Sequence, residues 1–248
     1  MNKDLAKIKL LTLLTLSFFI PESLWAFRLT PMVEIFESRG RNATKSFHLV
    51  NDGASPVALE IEVLKRGIDQ DGKEERTPTD DFIVYPPQLQ INPGERRNIR
   101  VSWVGEERLP HEQAYRLIVR QLPVNLEESI TEEGTRINFV FEYVASIYAQ
   151  DARNRRNYSP KLEITESKMD EGFFSFFVKN SGDRHALFKD YTLEVFFGDD
   201  KWVPSDEELQ TIKTTNILAK SKIPFSFRLP SNIEPNSEIQ IKLNTPQQ

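Results

Sequence analysis

His48, His111 and His185 are the only imidazoles in the 248 residues, and no two of them stand at metal-ligand spacing. The stretch Asp69-Gln70-Asp71-Gly72 begins like a calcium loop but lacks the later ligands and the closing Glu, so it reads as a hairpin turn. No cysteine is available for a disulfide, a thiolate metal site or a nucleophile. Gly-x-Ser-x-Gly, phosphate-loop and dinucleotide fingerprints are all missing from the sequence. No catalytic residues, metal or cofactor are therefore expected, and the chain reads as a non-enzyme. A formal charge of −5 argues against a nucleic-acid partner held by bulk positive charge. The groups best suited to recognition are apolar. In the run from Ile137 to Ile147, Ile137, Phe139, Phe141 and Tyr143 share one face of an extended chain. Taken on its residues alone, this run is the last core strand of a sandwich with its aromatic side inward.

The elements that would hold such a strand are legible from period-two alternation. Leu59, Ile61 and Val63 alternate with Glu60 and Glu62, and Ile99, Val101 and Trp103 alternate with Asn98, Arg100 and Ser102. Tyr115, Leu117 and Val119 repeat the pattern, with Ile118 interrupting the polar face. Turn residues separate these runs at Asn51-Asp52-Gly53, Asp71-Gly72 and Asn92-Pro93-Gly94. Alternation resumes at Leu162-Ile164, Phe174-Phe176-Val178, Tyr191-Leu193-Val195, Phe225-Phe227-Leu229 and Ile239-Ile241-Leu243. An internal echo links the halves: Leu49-Val50-Asn51-Asp52-Gly53 resembles Val178-Lys179-Asn180-Ser181-Gly182. The fold class expected is all-β, two immunoglobulin-like β-sandwich domains joined by a short hinge in an L- or boomerang-shaped arrangement.

Lys3, Lys7 and Lys9 precede an apolar run over residues 10–20, followed by Pro21 and the small residue Ala26. Residues 1–26 thus read as a cleaved secretory signal peptide. The first domain is expected over residues 27–150, a polar hinge over 151–157 and the second domain over 158–248.

One stretch carries a specific likeness. Phe82-Ile83-Val84-Tyr85-Pro86-Pro87, Leu89-Gln90-Ile91-Asn92-Pro93-Gly94-Glu95 and Ile99-Arg100-Val101, followed by Glu112-Gln113-Ala114-Tyr115-Arg116-Leu117-Ile118-Val119, resemble the signature of the PapD-like periplasmic pilus-assembly chaperones. The Tyr-Arg-Leu-Ile-Val wording is most similar to the archaic and alternate chaperone-usher branches. The likeness runs over most of residues 27–150 and fades beyond them. It implies a periplasmic chaperone that completes pilus subunits by donor-strand complementation and delivers them to an outer-membrane usher. Ile137, Phe139 and Phe141 would then be donated side chains, with Tyr143 peripheral. The resemblance implies neither a small-molecule substrate nor a cofactor, and it leaves room for self-association through the donor edge.

The common branch of that family holds the subunit's terminal carboxylate with two basic residues. Their places fall here on Val33 and on Ala145 or Ser146, so both basic groups are missing. Arg116 is the expected substitute, because its planar fork can grip a carboxylate with two bonds. The resemblance further implies an interdomain charge pair between Arg100 and Glu112. The alternative is an exported structural or adhesive two-domain β protein with this fold and no chaperone activity.

Overall fold

The computed structural model describes residues 27–123, 140–170, 173–198, 200–205, 207, 209–228 and 239–244. The signal segment and two expected donor residues, Ile137 and Phe139, lie outside the described residues.

Among the described residues, ten strands build the first domain. They are β1 (Arg28–Thr30), β2 (Val33–Glu37), β3 (Thr44–Val50), β4 (Val57–Ile68), β5 (Glu74–Pro78), β6 (Phe82–Tyr85), β7 (Gln88–Ile91), β8 (Arg96–Trp103), β9 (Gln113–Gln121) and β10 (Glu142–Gln150). One sheet runs β1-β3-β8-β6; the other runs β2-β10-β9-β4, with β5 and β7 both pairing the far side of β4. All pairings are antiparallel except that of β2 with β10. The alternation is realised as expected: Leu59, Ile61, Val63, Ile99, Val101, Trp103, Tyr115, Leu117 and Val119 all point into one core. Burial of each such side chain contributes roughly 1.5–3 kcal/mol. Ile118 is buried on the opposite face, between Glu62 and Val144 of the neighbouring strands.

Pro86 and Pro87 sit at the corner where the chain leaves β6 in one sheet and enters β7 in the other. Neither can donate a ladder hydrogen bond, which is why they occur where the ladder changes. The echoed Asn residues do the same work in both halves. Asn51 is fully buried and donates to Ser55 O and Ile91 O while its side-chain oxygen accepts from Gly53 N–H. Asn180, also fully buried, donates to Arg184 O and Ile217 O and accepts from Gly182 N–H. A buried amide that satisfies three backbone groups fixes a strand end without a polar group left unpaired.

The second domain contains β11 (Leu162–Asp170), β12 (Phe173–Asn180), β13 (Ala186–Leu187), β14 (Thr192–Phe197), β15 (Asp200–Trp202), the single-turn helix α1 (Gln210–Lys213), β16 (Asn216–Ile217), β17 (Lys222–Arg228) and β18 (Ile239–Asn244). Its sheets are β11-β12-β17, β13-β16 and β15-β14-β18. Phe174, Phe176, Phe225 and Phe227 form the centre of its core. The linking segment is polar but tied down. Asp151 is buried and accepts from Arg153 N–H, and the buried Tyr158 donates its hydroxyl to Leu109 O at 2.5 Å.

The domains also meet through the β4–β5 hairpin. Asp69 Oδ1 accepts from Asp71 N–H and Lys73 N–H, making the expected turn. Gly72 follows at φ +80°, packed so tightly on Pro224 of β17 that a Cβ there would lie 2.2 Å from Pro224 Cδ. Ile68, at the end of β4, packs against the second core.

Candidate functional site

Strand β10 has two different edges along its length. From Ser146 to Gln150 it lies between β9 and β2, with Ser146 opposite Val33. From Glu142 to Ala145 its only partner among the described residues is β9. Ser146 N–H turns away from β9 and donates to Met32 O, whereas Phe141 O faces β9 and accepts from Gln121 N–H. Because backbone groups alternate in direction along an antiparallel strand, the N–H groups of Glu142 and Val144 face the same side as that of Ser146. There no described strand pairs them. An edge of this kind is a template for a further strand.

The side chains on this segment divide between two faces. Phe141 and Tyr143 lean on the first core and are half-buried, and Tyr143 donates its hydroxyl to Phe27 O at 2.7 Å. Its ring also meets that of Phe27 edge-on, with centroids 4.9 Å apart. Val140 is 55% exposed. Arg120, opposite Glu142, spans three carboxylates: Glu142 at 2.9 Å, Glu62 at 3.3 Å and Glu60 at 3.7 Å. It braces the outer face of the sheet.

Down the same sheet lies a cleft of about 680 Å³ lined from both domains. Val33, Ser146 and Arg116 stand side by side on β2, β10 and β9 at its wall. Val33 is therefore adjacent to Ser146, one of the two residues (with Ala145) on which the second missing basic group falls, and Arg116 reaches it, donating from Nη1 to Ser146 Oγ at 2.5 Å. Arg116 also grips Glu74 of β5 with two nitrogens: Nε at 3.0 Å from Oε1 and Nη2 at 2.5 Å from Oε2. Two further guanidiniums converge on the same carboxylate, Arg66 Nε and Arg76 Nε, each at 2.7 Å. Burial acts to raise the Glu74 pKa. Hydrogen bonds from Arg116 and Arg76 and the charges of Arg66 and Arg116 outweigh it and hold the carboxyl at about 2. Burial and the charge of Arg116 push the Arg66 guanidinium down.

The expected Arg100–Glu112 pair is not formed. Arg100 lies exposed on β8, in the other sheet. Glu112 is buried and turns toward the second domain, where Oε1 accepts from His185 N–H at 3.0 Å and meets His185 Nδ1 at 2.6 Å. Its Oε2 accepts from Gln150 Nε2 at 2.7 Å. The His185 ring stacks on Tyr148 with centroids 4.0 Å apart. Glu112 does link the domains, but through an imidazole rather than an arginine.

Sequence reasoning missed Arg66, Glu74 and His185. The first two had a signal. Once Asp71-Gly72 is taken as the hairpin turn, the register sets Ile68 opposite Glu74 and Arg66 opposite Arg76. All four side chains then share one face. His185 had none, because its partner lies 73 residues away in another domain.

Residues 33–147 match the family model described as pili and flagellar-assembly chaperone, PapD N-terminal domain. No curated relative matches the chain in sequence. Among solved structures, it is similar to a chain of the CsuC–CsuE chaperone–tip adhesion subunit pre-assembly complex from archaic chaperone-usher Csu pili of Acinetobacter baumannii. The TM-score is 0.55 at 21% identity, covering 80% of this chain and 89% of that one. It is similar to the class 5 fimbriae chaperone CfaA at a TM-score of 0.51 and 12% identity, covering 89% of this chain and 100% of that one. The Salmonella enterica SafA pilin–SafB chaperone complex gives 0.51 at 12% identity, covering 90% of this chain and 97% of that one. The first domain thus matches the PapD N-terminal domain over residues 33–147, and the two-domain all-β fold is similar to that of the pilus-chaperone structures.

Proposed function

We propose that the protein is a periplasmic chaperone for pilus or fimbrial subunits, binding them by donor-strand complementation and passing them to an outer-membrane usher. The observation that carries this reading is the edge of β10 from Glu142 to Ala145, which no strand pairs among the described residues. It continues the alternating apolar run from Ile137 and leads into the cleft where Arg116 stands. A subunit that lacks a strand could pair with this edge through backbone hydrogen bonds while alternate side chains set the register. Arg116 would take the subunit's terminal carboxylate at the cleft end. No ATP is needed if the next subunit's strand makes the more stable pairing.

The test is co-expression with a candidate pilin and pull-down of the complex. Replacing Phe139 and Phe141 together by Asn removes two apolar anchors, each contributing roughly 1.5–3 kcal/mol on burial. Capture of the pilin should disappear while the chaperone stays folded, its thermal midpoint lowered only by the lost core contact of the half-buried Phe141. Unfolding of the doubly substituted protein would instead make this a core strand and overturn the reading.

A further inference from the structure

The cleft cluster is unusual in its charge balance. Arg66, Arg76 and Arg116 converge on the single carboxylate of Glu74. Arg76 lies toward solvent, but the Arg66 side chain is only 8% exposed. Its Nη1 has no hydrogen-bond partner among the described residues, and its Nε, though near Glu74, is not aligned for a hydrogen bond. An arginine buried with unmet donors is costly unless something completes its shell. Both Arg66 and Arg116 line the cleft. Glu74 itself sits on β5, which among the described residues pairs only with β4, at the edge of the sheet.

We propose that Arg66 and Arg116 together form the carboxylate-binding unit of the cleft, and that Glu74 is an internal occupant which a ligand's terminal carboxylate replaces. The inference rests on the reading of Arg116 as the subunit anchor and adds a second arm and a competitor to it. In the free protein Glu74 keeps two like charges side by side and holds the guanidiniums in binding geometry. An incoming carboxylate takes the bidentate seat on Arg116 and the unmet donor of Arg66, while Glu74 retains Arg76. Exchange of one carboxylate for another leaves the charge facing the pair unchanged, and preference for the terminus of an extended chain comes from the neighbouring β10 edge that no described strand pairs. Because Glu74 follows the hairpin whose Gly72 abuts Pro224, the exchange also bears on a contact between the domains.

The probe is a short peptide of alternating Val and Thr, prepared with a free C-terminal carboxylate and in C-terminally amidated form. Binding is read by NMR from the arginine Nε–H signals and the Glu74 carboxyl carbon of the full chain. In the wild-type protein the free-acid peptide should shift the signals of Arg66, Arg116 and Glu74, and the amide should shift none of them. Glu74→Gln should tighten the free-acid peptide by about tenfold and leave the amide unchanged. Arg66→Ala should weaken the free acid by a similar factor, with Arg120→Ala as the unaffected control. If acid and amide bind alike, or Arg116→Ala changes nothing, the anchor reading falls and this inference with it. If the acid is preferred through Arg116 but the Glu74 signal stays still and Glu74→Gln gives no gain, the anchor stands and the internal occupant is overturned. The wild-type shifts decide the matter even where a variant folds poorly.

Discussion

At the scale of single residues, Glu74 has the most consequential environment. Its carboxyl is held at about 2 against an ordinary value of 4.5. A carboxylate depressed in the folded state contributes stability that is complete above the unfolded value and is lost as the pH falls through the folded one. The wild-type protein should therefore lose stability from about pH 4.5 down toward pH 2 through this group. In Glu74→Gln this component should be missing. Urea unfolding midpoints measured across that range should converge for the two proteins as the pH falls. A constant gap between them would mean that the carboxylate is not responsible. Arg120 provides the contrast. It also meets three charged partners, but on an exposed face where such pairs contribute only about 0–1 kcal/mol.

At the scale of elements, β10 joins two roles in one strand. Its lower half is fixed between β9 and β2, and its upper half keeps one edge unpaired among the described residues. The direction of each N–H then gives a clean test. Val144 N–H faces the open edge, so Val144→Pro removes a donor that β9 does not use. Capture of a pilin should fall at least about tenfold, with the unfolding midpoint close to wild type. Ala145→Pro, which removes a donor facing β9 and leaves a buried acceptor there unpaired, should destabilise the domain by roughly 1–3 kcal/mol. Equal effects of the two substitutions on stability would show that both edges are already paired. The half-buried Phe141 and Tyr143 mark where the strand passes from its own core toward the open edge.

At the scale of the whole molecule, the two domains are joined by a small set of specific contacts. Glu112 accepts from His185 and Gln150, Tyr158 caps Leu109 O, and Gly72 packs on Pro224. Removing the Glu112 carboxylate leaves buried donors on both sides of the junction unpaired. Glu112→Ala should cost roughly 1–3 kcal/mol in urea unfolding. It should also broaden the distribution of inter-domain distances seen by small-angle scattering. Arg100→Ala should do neither, since Arg100 lies exposed on the other sheet. A scattering profile identical to wild type in Glu112→Ala would mean that the remaining contacts set the angle alone.

The sequence by itself determined the strongly alternating strands and the paired strand ends at Asn51 and Asn180. Pro86-Pro87, which cannot donate to a ladder, limited that stretch to a sheet edge or a sheet-switching corner. These depend on period-two burial, on the missing proline donor and on a side chain bonding its own turn, all of which are local. It also singled out Arg116. Only the tertiary structure decided what Arg116 touches, because Glu74 is 42 residues away and is brought to it by the register of a hairpin on β4. The same holds for Glu112, whose partner depends on how a second domain is set against the first. Whether the upper edge of β10 is covered was equally illegible. Alternation tells which side chains face inward, but an open backbone edge is defined by the strand that is not beside it.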